Sequence, residues 1–154
     1  MASGVSLREP VEADVESFFR HQLEPEACRM AAFPSRDRAA FAAHWAKTAA
    51  DPSVTRLTVL ADGLPAGYVA CFSRLGLREV CYWLGKEFWG QGIASMALAM
   101  FLDRVQERPL HARVAKSNRG SLRVVEKCGF VVVGEDRFPD HDGAVVEEFL
   151  LKLG

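Results

Sequence analysis

The sequence predicts a mixed α/β (α+β) fold, in which a mostly antiparallel central sheet of about six to seven strands carries helices on both faces. Three observations support this prediction. The first third of the chain has apolar residues at helical spacing, the middle has three alternating segments joined by tight turns, and the second half alternates strand-like with helix-like segments. Short turns join antiparallel strands, whereas strand–helix–strand units favour locally parallel pairing.

The first third is predicted to form one strand and two helices. The strand lies in VSLREP and ends at Pro10. The first helix covers VEADVESFFRHQ, whose apolar residues recur every three to four positions. The second covers SRDRAAFAAHWAKTAA and begins at Ser35, a residue type that caps helix N-termini.

Three consecutive strands are predicted next, in VTRLTVLA, AGYVACFSR and REVCYWLG. Turn dipeptides separate them at Asp62-Gly63 and Leu75-Gly76, so they form an antiparallel meander. The meander places Cys71 and Cys81 on neighbouring strands, where they either face each other or stay apart. The chain has no CxxC pair, which favours buried free thiols.

The second half is predicted to alternate between helices and strands. A helix runs from about Gly92 to Glu107, and LHARVA follows it as a strand. GSLRVVEKCG is a helix, and FVVVGE and AVVEEFLLKL are the last two strands. Neither a repeat nor a linker interrupts the chain, so residues 1–154 are expected to form a single domain.

Composition excludes several classes of function. The formal net charge is −1, so no global basic field attracts nucleic acid or a membrane surface, and neither partner is expected. Cysteine and histidine do not occur at the spacing of zinc ligands, so no metal is expected. The N-terminus lacks the pattern of a signal peptide, and no apolar run approaches a membrane span. A soluble cytoplasmic protein is expected.

The segment FWGQGIASMALAMF carries two glycines, Gly90 and Gly92, directly before a helical pattern. The P-loop motif GxxxxGK[ST] is absent, and the dinucleotide motif GxGxxG fails because its third glycine position is Ser95. Two interpretations stay open, a plain turn and an anion site at the helix N-terminus. In the second, backbone N–H groups of residues 91–95 and the helix dipole attract a phosphate, and Gly92 permits its close approach.

Two motifs, WGQGIAS and AKSNRGSLRVVEKCGF, resemble those of the GNAT acetyltransferases, in the branch typified by ribosomal-protein N-terminal acetyltransferases. The resemblance implies a GNAT-like sheet and acetyl-CoA as co-substrate. It implies that the first motif binds the pyrophosphate through Gln91, Gly92, Ile93, Ala94 and Ser95. It places the pantetheine against the strand backbone of Trp83 and Leu84, with Asn118 and Ser121 close to the thioester.

Acetyl transfer requires a neutral amine and a proton for the departing thiolate. A lysine-type amine, with a pKa of about 10.4, is almost entirely protonated at pH 7, so a base is needed. The resemblance implies that Glu79, at the start of the strand before the glycines, is this base, with His111 as a weaker candidate. The tyrosine that often serves as the acid is replaced by Val125, and Ser121 is the predicted substitute. A non-catalytic acyl-CoA sensor on the same fold is the alternative.

The acceptor is expected to be an amine, either a small molecule or a protein N-terminus. Its specificity is expected to come from the segments HQLEPEACRMAAFPSRD and DRFPDHDGA. In the second segment Asp136, Asp140 and Asp142 surround His141, which either favours a cationic acceptor or marks a solvated hairpin tip. The oligomeric state is open, with a homodimer among the expectations.

Overall fold

The computed structural model of the chain describes residues 4–139 and 143–154. Asp140, His141 and Asp142, predicted to flank the acceptor, lie outside the described residues. The elements are β1 (Val5–Arg8), α1 (Glu12–His21), α2 (Pro25–Ala31), α3 (Arg38–Ala49), β2 (Thr55–Ala61), β3 (Leu64–Arg74), β4 (Leu77–Leu84), a short 3-10 turn (Lys86–Phe88), α4 (Ile93–Arg104), β5 (Leu110–Ala115), α5 (Arg119–Lys127), β6 (Val131–Pro139) and β7 (Val145–Leu153).

The seven strands form one sheet in the order β1-β2-β3-β4-β5-β7-β6. Every neighbouring pair is antiparallel except β4–β5, which confirms the predicted mixed, mostly antiparallel sheet. One local prediction is wrong, because β5 and β6 do not pair across helix α5. Strand β7 lies between them and bonds to both. β7 carries the fully buried Leu151, whereas Val131, Val132 and Val133 of β6 are exposed, so β7 takes the inner position.

Helix α2 was not predicted, and the start of α3 differs from the prediction. α2 has seven residues, too few for a clear apolar period; Pro25 opens it and the Glu24 carboxylate accepts a hydrogen bond from the Glu26 N–H. Asp37, not Ser35, caps α3 by accepting a hydrogen bond from the Ala40 N–H at 2.8 Å.

The two faces of the sheet carry different helices. Helices α4 and α5 cover one face and form the main core with the inner strands. Helices α1 and α3 cover part of the other face through a smaller aromatic cluster that includes Phe18, Phe41 and Trp45. Within the described residues, no helix is long and apolar enough to cross a membrane.

The strand register decides the arrangement of the cysteines. Cys71 lies opposite Val80, and Cys81 lies opposite Ala70, so the two thiols point to opposite faces of the sheet. The suggestion that they face each other is therefore wrong. All four cysteines are free, as predicted.

The parallel ladder between β4 and β5 is unusually short. Its register contains a single pair, Glu79 opposite His111. Beyond this pair the C-terminal half of β4 loses its neighbour in the sheet. A gap opens there between the two strands, and this gap positions the site described next.

Candidate active site

A cavity of about 550 Å³ lies beside the end of β4 that has no partner in β5, and it is called here the inter-strand cavity. It is bounded by the end of β4, the loop before α4, the first turn of α4, helix α5 and one side of α2. Its lining residues are Ala27, Met30, Ala31, Tyr82, Trp83, Leu84, Phe88, Trp89, Gly90, Gly92, Ile93, Ala94, Ser95, Asn118, Gly120, Ser121, Arg123, Val124 and Lys127. Its volume falls within the range of about 300–1,000 Å³ typical of small-molecule sites.

One end of the inter-strand cavity is the N-terminus of α4. Gly90 and Gly92 both have left-handed backbones, with φ of 75° and 76°, and Gly92 is the N-cap. A Cβ at either position would meet nothing within 4 Å, so crowding by neighbouring atoms does not require glycine there. The left-handed backbone does favour glycine at both positions. Among the described residues, no side chain caps this helix. The N–H groups of its first turn are thus available to an anion.

Most of the predicted cofactor residues come together around this cavity. Trp83, Leu84, Gly92, Ile93, Ala94, Ser95, Asn118 and Ser121 all line it. Gln91 does not, and its side-chain amide instead donates a hydrogen bond to the Glu87 carbonyl at 3.1 Å. The sequence predicted these positions because the two motifs are local patterns on either side of one helix.

The second motif builds a polar spot inside the cavity. The Asn118 side chain accepts a hydrogen bond from the Ser121 N–H at 3.2 Å, which caps α5 and orients Ser121. The Tyr82 hydroxyl donates a hydrogen bond to Ser121 Oγ at 2.9 Å. Burial raises the pKa of Tyr82, so this phenol keeps its proton. Sequence reasoning predicted Ser121 but missed Tyr82, and Val125, which replaces the usual tyrosine, lies in the core at 2% exposure.

The basic side chains of the second motif, AKSNRGSLRVVEKCGF, differ in whether they reach the inter-strand cavity. Arg123 and Lys127 line the inter-strand cavity, where they face any anionic ligand. Lys116 instead forms ion pairs with Glu135 and Glu147. Lys116 therefore has its charge offset by these two carboxylates and does not line the inter-strand cavity.

Glu79 lies at the closed end of the gap and does not line the cavity. Its side chain is 3% exposed, and Oε2 accepts a hydrogen bond from Arg113 Nε at 2.9 Å. Arg113 Nη1 also lies 3.5 Å from Glu148, whose pKa is raised by burial. His111 is opposite Glu79 in the register, and its Nδ1 is buried without a hydrogen-bond partner in the described part of the chain.

Helix α2 separates the inter-strand cavity from a second one, called here the outer cavity. Ala27, Met30 and Ala31 face the first, whereas Cys28, Arg29 and Ala32 face the second. The outer cavity measures about 740 Å³, and its other lining residues are Leu23, Pro25, Pro34, Ser35, Lys116, Ser117, Val145, Val146 and Glu147. The only feature of the sequence that indicated helix α2 was Pro25, a residue type that favours the first turn of a helix.

An uncapped helix N-terminus, a gap between two strands and a hydroxyl pair inside that gap define a site for an elongated ligand with an anionic end. The chain belongs to the acetyltransferase (GNAT) domain family, whose model matches residues 5–131. The prediction of an acetyltransferase is thereby confirmed. None of the curated proteins is similar enough in sequence to count as a match.

Solved structures share the whole fold. A spermidine N-acetyltransferase from Vibrio cholerae, in complex with CoA and spermine, is 17% identical, with a TM-score of 0.84 over 98% of this chain and 95% of that one. RimL, a ribosomal L7/L12 α-N-protein acetyltransferase in complex with coenzyme A, is 16% identical, with a TM-score of 0.83 over 99% and 94%. Mycobacterium smegmatis RimJ is 22% identical, with a TM-score of 0.76 over 97% and 81%. At such low identity these likenesses show the fold.

Proposed function

We propose that this protein transfers an acetyl group from acetyl-CoA to a primary amine. The observation that carries the proposal is the uncapped N-terminus of α4, with its left-handed Gly92, at the mouth of a cavity that enters the sheet. Membership of the acetyltransferase family and the CoA bound to two structural neighbours support the choice of ligand.

The lining of the inter-strand cavity fits acetyl-CoA in its charge and shape. The N–H groups at the start of α4 would hold the pyrophosphate, and Arg123 and Lys127 add positive charge nearby. The end of β4 at Trp83 and Leu84 pairs with β3 but not with β5, and this open edge would lie against the pantetheine arm. The bound co-substrate supplies the thioester that an amine attacks.

Glu79 is the proposed base. Arg113 binds its Oε2, which fixes the carboxylate and leaves Oε1 to receive the proton. Because Glu79 lies at the closed end of the gap, the proton is proposed to reach it through a water molecule. A fixed carboxylate near the attack point removes the proton that keeps the amine from reacting.

Ser121 is the proposed acid. Its Oγ accepts a hydrogen bond from Tyr82, so its own hydrogen is free to point towards the thiolate. The Tyr82 hydroxyl would stabilise the seryl oxygen as that hydrogen moves away. This pair takes the place of the tyrosine that the sequence lacks at Val125.

The test compares three variants in acetyl-CoA binding and in CoA release. Glu79→Gln and Ser121→Ala should each lower kcat by about 10²–10⁴-fold, the usual contribution of acid–base groups, and should leave the Kd for acetyl-CoA within about threefold. Glu107→Gln is the matched control, because Glu107 also pairs with an arginine, Arg78 at 2.9 Å, but lies outside the cavity. It should behave as the unchanged protein.

The acceptor screen should include polyamines and peptide N-termini, since structural neighbours named for spermidine and for ribosomal proteins share this fold. CoA release with any of these amines would support the transferase. Tight acetyl-CoA binding without CoA release across the whole screen would support the non-catalytic sensor instead. Failure to bind millimolar acetyl-CoA would overturn both.

A further inference from the structure

Arg56, on the sheet face opposite α4, has no anionic partner among the residues that the structure describes. Arg56 of β2 packs against Trp45 of α3, with its guanidinium carbon 4.1 Å from the ring centre, and lies 5.4 Å from that of Tyr68. Nη1 donates one hydrogen bond, to Thr48 Oγ1 at 2.8 Å. Nε is buried and has no acceptor among residues 4–139 and 143–154. Arg56 as a whole is half-buried, and its Nη2 group has no partner among the described residues, so the guanidinium has a side on which it can receive an anion.

Other arginines of the chain show the contrast. Arg113 has Glu79 at 2.9 Å, and Arg8 has Asp14 at 2.7 Å. The hydrogen bond that each of these two arginines donates to its carboxylate partner raises the pKa of the arginine. Burial lowers the pKa of Arg56, since no carboxylate offsets the loss of water.

Two more basic side chains gather around Arg56. His44 lies near Arg56, because the Thr48 hydroxyl that binds Arg56 also donates a hydrogen bond to the His44 carbonyl at 3.1 Å. The pKa of His44 is lowered first by burial and then by the positive charges of Arg36, Arg56 and Lys47. Arg36 lies over the ring of Phe33, at 4.8 Å. No carboxylate in the described part of the chain forms an ion pair with Arg36 or Arg56. These two arginines, together with the neutral His44 beside them, are called here the cationic cluster.

The cationic cluster borders the same surface as Glu79. Arg56 is opposite Ala70, and Ala70 is opposite Cys81, so Arg56 and Cys81 lie in one row on one face of the sheet. Glu79 lies two residues before Cys81 and therefore shares that face. Burial raises the pKa of Cys81 to about 12, and the charges of Arg56 and Glu79 act on it with opposite signs.

The span between these groups suits a small acceptor. Arg56 and Cys81 are two strand spacings apart, about 10 Å between backbones, and the arginine side chain shortens that distance. The floor between them includes the small residues Ala70 and Cys81 and the partly exposed Tyr68. Because Ala70 and Glu79 are themselves buried, an acceptor would lie above this row, with its amine reaching Glu79 through the proposed water molecule and its other end near Arg56.

We propose that the cationic cluster binds an anionic group of the acceptor, so that the preferred substrates are primary amines that also carry a carboxylate. This inference rests on the proposed transfer to an amine and names the substrate class. A carboxylate would accept a hydrogen bond from Nη2 of Arg56, which has no partner among the described residues and is not buried, and would offset the charge of the cluster. The carboxylate comes either from a free amino-acid-like molecule or from an acidic side chain beside a peptide N-terminus.

Matched acceptors test the proposal. CoA release is measured with 4-aminobutyrate against butylamine, and with the peptides Ala-Glu-Ala against Ala-Gln-Ala. The carboxylate-bearing member of at least one pair should have a kcat/KM about tenfold or more above its neutral partner, the size expected for a hydrogen bond to a charged group. The pair that discriminates identifies the source of the carboxylate, and equal rates within both pairs would overturn the proposal.

Variants then locate the discrimination. Arg56→Met should reduce the ratio within the responding pair to near one, and Arg56→Lys should keep part of it. Arg38→Met is the matched control, because Arg38 also lies over an aromatic ring, Phe19 at 4.5 Å, but already pairs with Glu16. It should keep the full ratio. If Arg56→Met does not fold, Arg36→Met takes its place with the same expectation.

Binding separates this inference from the transferase proposal. Titration calorimetry on the unchanged protein saturated with CoA should detect the carboxylate-bearing acceptor and give at least tenfold weaker binding for its neutral partner. If no amine releases CoA but this difference is seen, the transferase proposal fails and the anion site stands. If CoA is released but Arg56→Met keeps the full ratio, the anion site fails alone.

Discussion

At the scale of single residues, some charged side chains of this protein have an oppositely charged partner within the chain and others do not. Asp14 is 1% exposed and accepts hydrogen bonds from both Arg8 Nη atoms, at 2.7 and 3.0 Å, and from Thr58 Oγ1 at 2.7 Å. Burial by itself raises the pKa of Asp14, but these bonds and one from the Val11 N–H outweigh it and lower the pKa overall. Asp14 joins β1, α1 and β2 and is structural, whereas Arg56 lacks such a partner.

Replacing Asp14 should therefore destabilise the fold. Asp14→Asn should lower the free energy of unfolding by about 2–4 kcal/mol at pH 7, because it leaves buried donors and the Arg8 charge without a carboxylate. Urea unfolding measures this loss. Glu16→Gln on the same helix is the control and should leave the unfolding midpoint unchanged, since its pair with Arg38 is exposed.

The pH dependence of this difference follows from the sign of the pKa shift. The folded-state pKa of Asp14 lies below the unfolded value of about 3.9, so the stabilisation is present above pH 4 and is lost as the pH falls through the lower folded-state value. The difference in the free energy of unfolding between the unchanged protein and Asp14→Asn should decrease below pH 4. A difference in unfolding free energy that stays constant down to pH 2 would contradict the role assigned to the Asp14 charge.

At the scale of elements, the site depends on how one strand ends and one helix begins. β4 keeps its antiparallel ladder with β3 throughout but meets β5 at a single pair. The chain then makes a short turn and enters α4 through the left-handed Gly92. These two features place an uncapped helix N-terminus beside an open strand edge. Helix α2, short and anchored by the Lys86 ion pairs to Glu24 and Glu26, closes the cavity from the far side.

The start of α4 gives a prediction with a built-in control. Gly92→Ala should cost about 1 kcal/mol of stability, because a left-handed backbone disfavours a Cβ, and should weaken acetyl-CoA binding at least about tenfold. Gly76→Ala carries the same strain, with φ of 80° and nothing within 4 Å of the new Cβ, but lies in the β3–β4 turn. It should lose similar stability and bind acetyl-CoA normally. Equal affinity losses in the two variants, measured by calorimetry, would contradict the anion site.

At the scale of the whole molecule, the inter-strand cavity joins parts that are far apart in the chain. Its walls come from α2, β4, α4 and α5. A ligand that fills it therefore connects the first third of the chain to the second half. Binding to the folded state alone stabilises the fold by mass action.

Acetyl-CoA should for that reason raise the unfolding temperature. At about 100 times its Kd the expected stabilisation is about 2.7 kcal/mol, or roughly 5–10 °C for a chain of this size. Differential scanning fluorimetry across a ligand series measures the shift. Gly92→Ala should need at least about tenfold more ligand for the same rise. An unfolding temperature that does not change at saturating acetyl-CoA would rule out the proposed site.

The sequence by itself determined the features that depend on neighbours along the chain. These are the strand meander, the glycines before α4 and the family motifs, and with them much of the cavity lining. Each is a short pattern, and local backbone preferences and hydrogen bonds suffice to produce it.

Only the tertiary structure decided the features that depend on distant pairs. The insertion of β7 between β5 and β6, the Tyr82–Ser121 hydrogen bond across 39 positions, the Arg113–Glu79 ion pair and the unpaired Arg56 all arise from contacts between strands and helices remote in sequence. Helix α2 belongs here too, because seven residues are too few to be stable without packing. Such features are set by which surfaces are buried together, and no short segment carries that information.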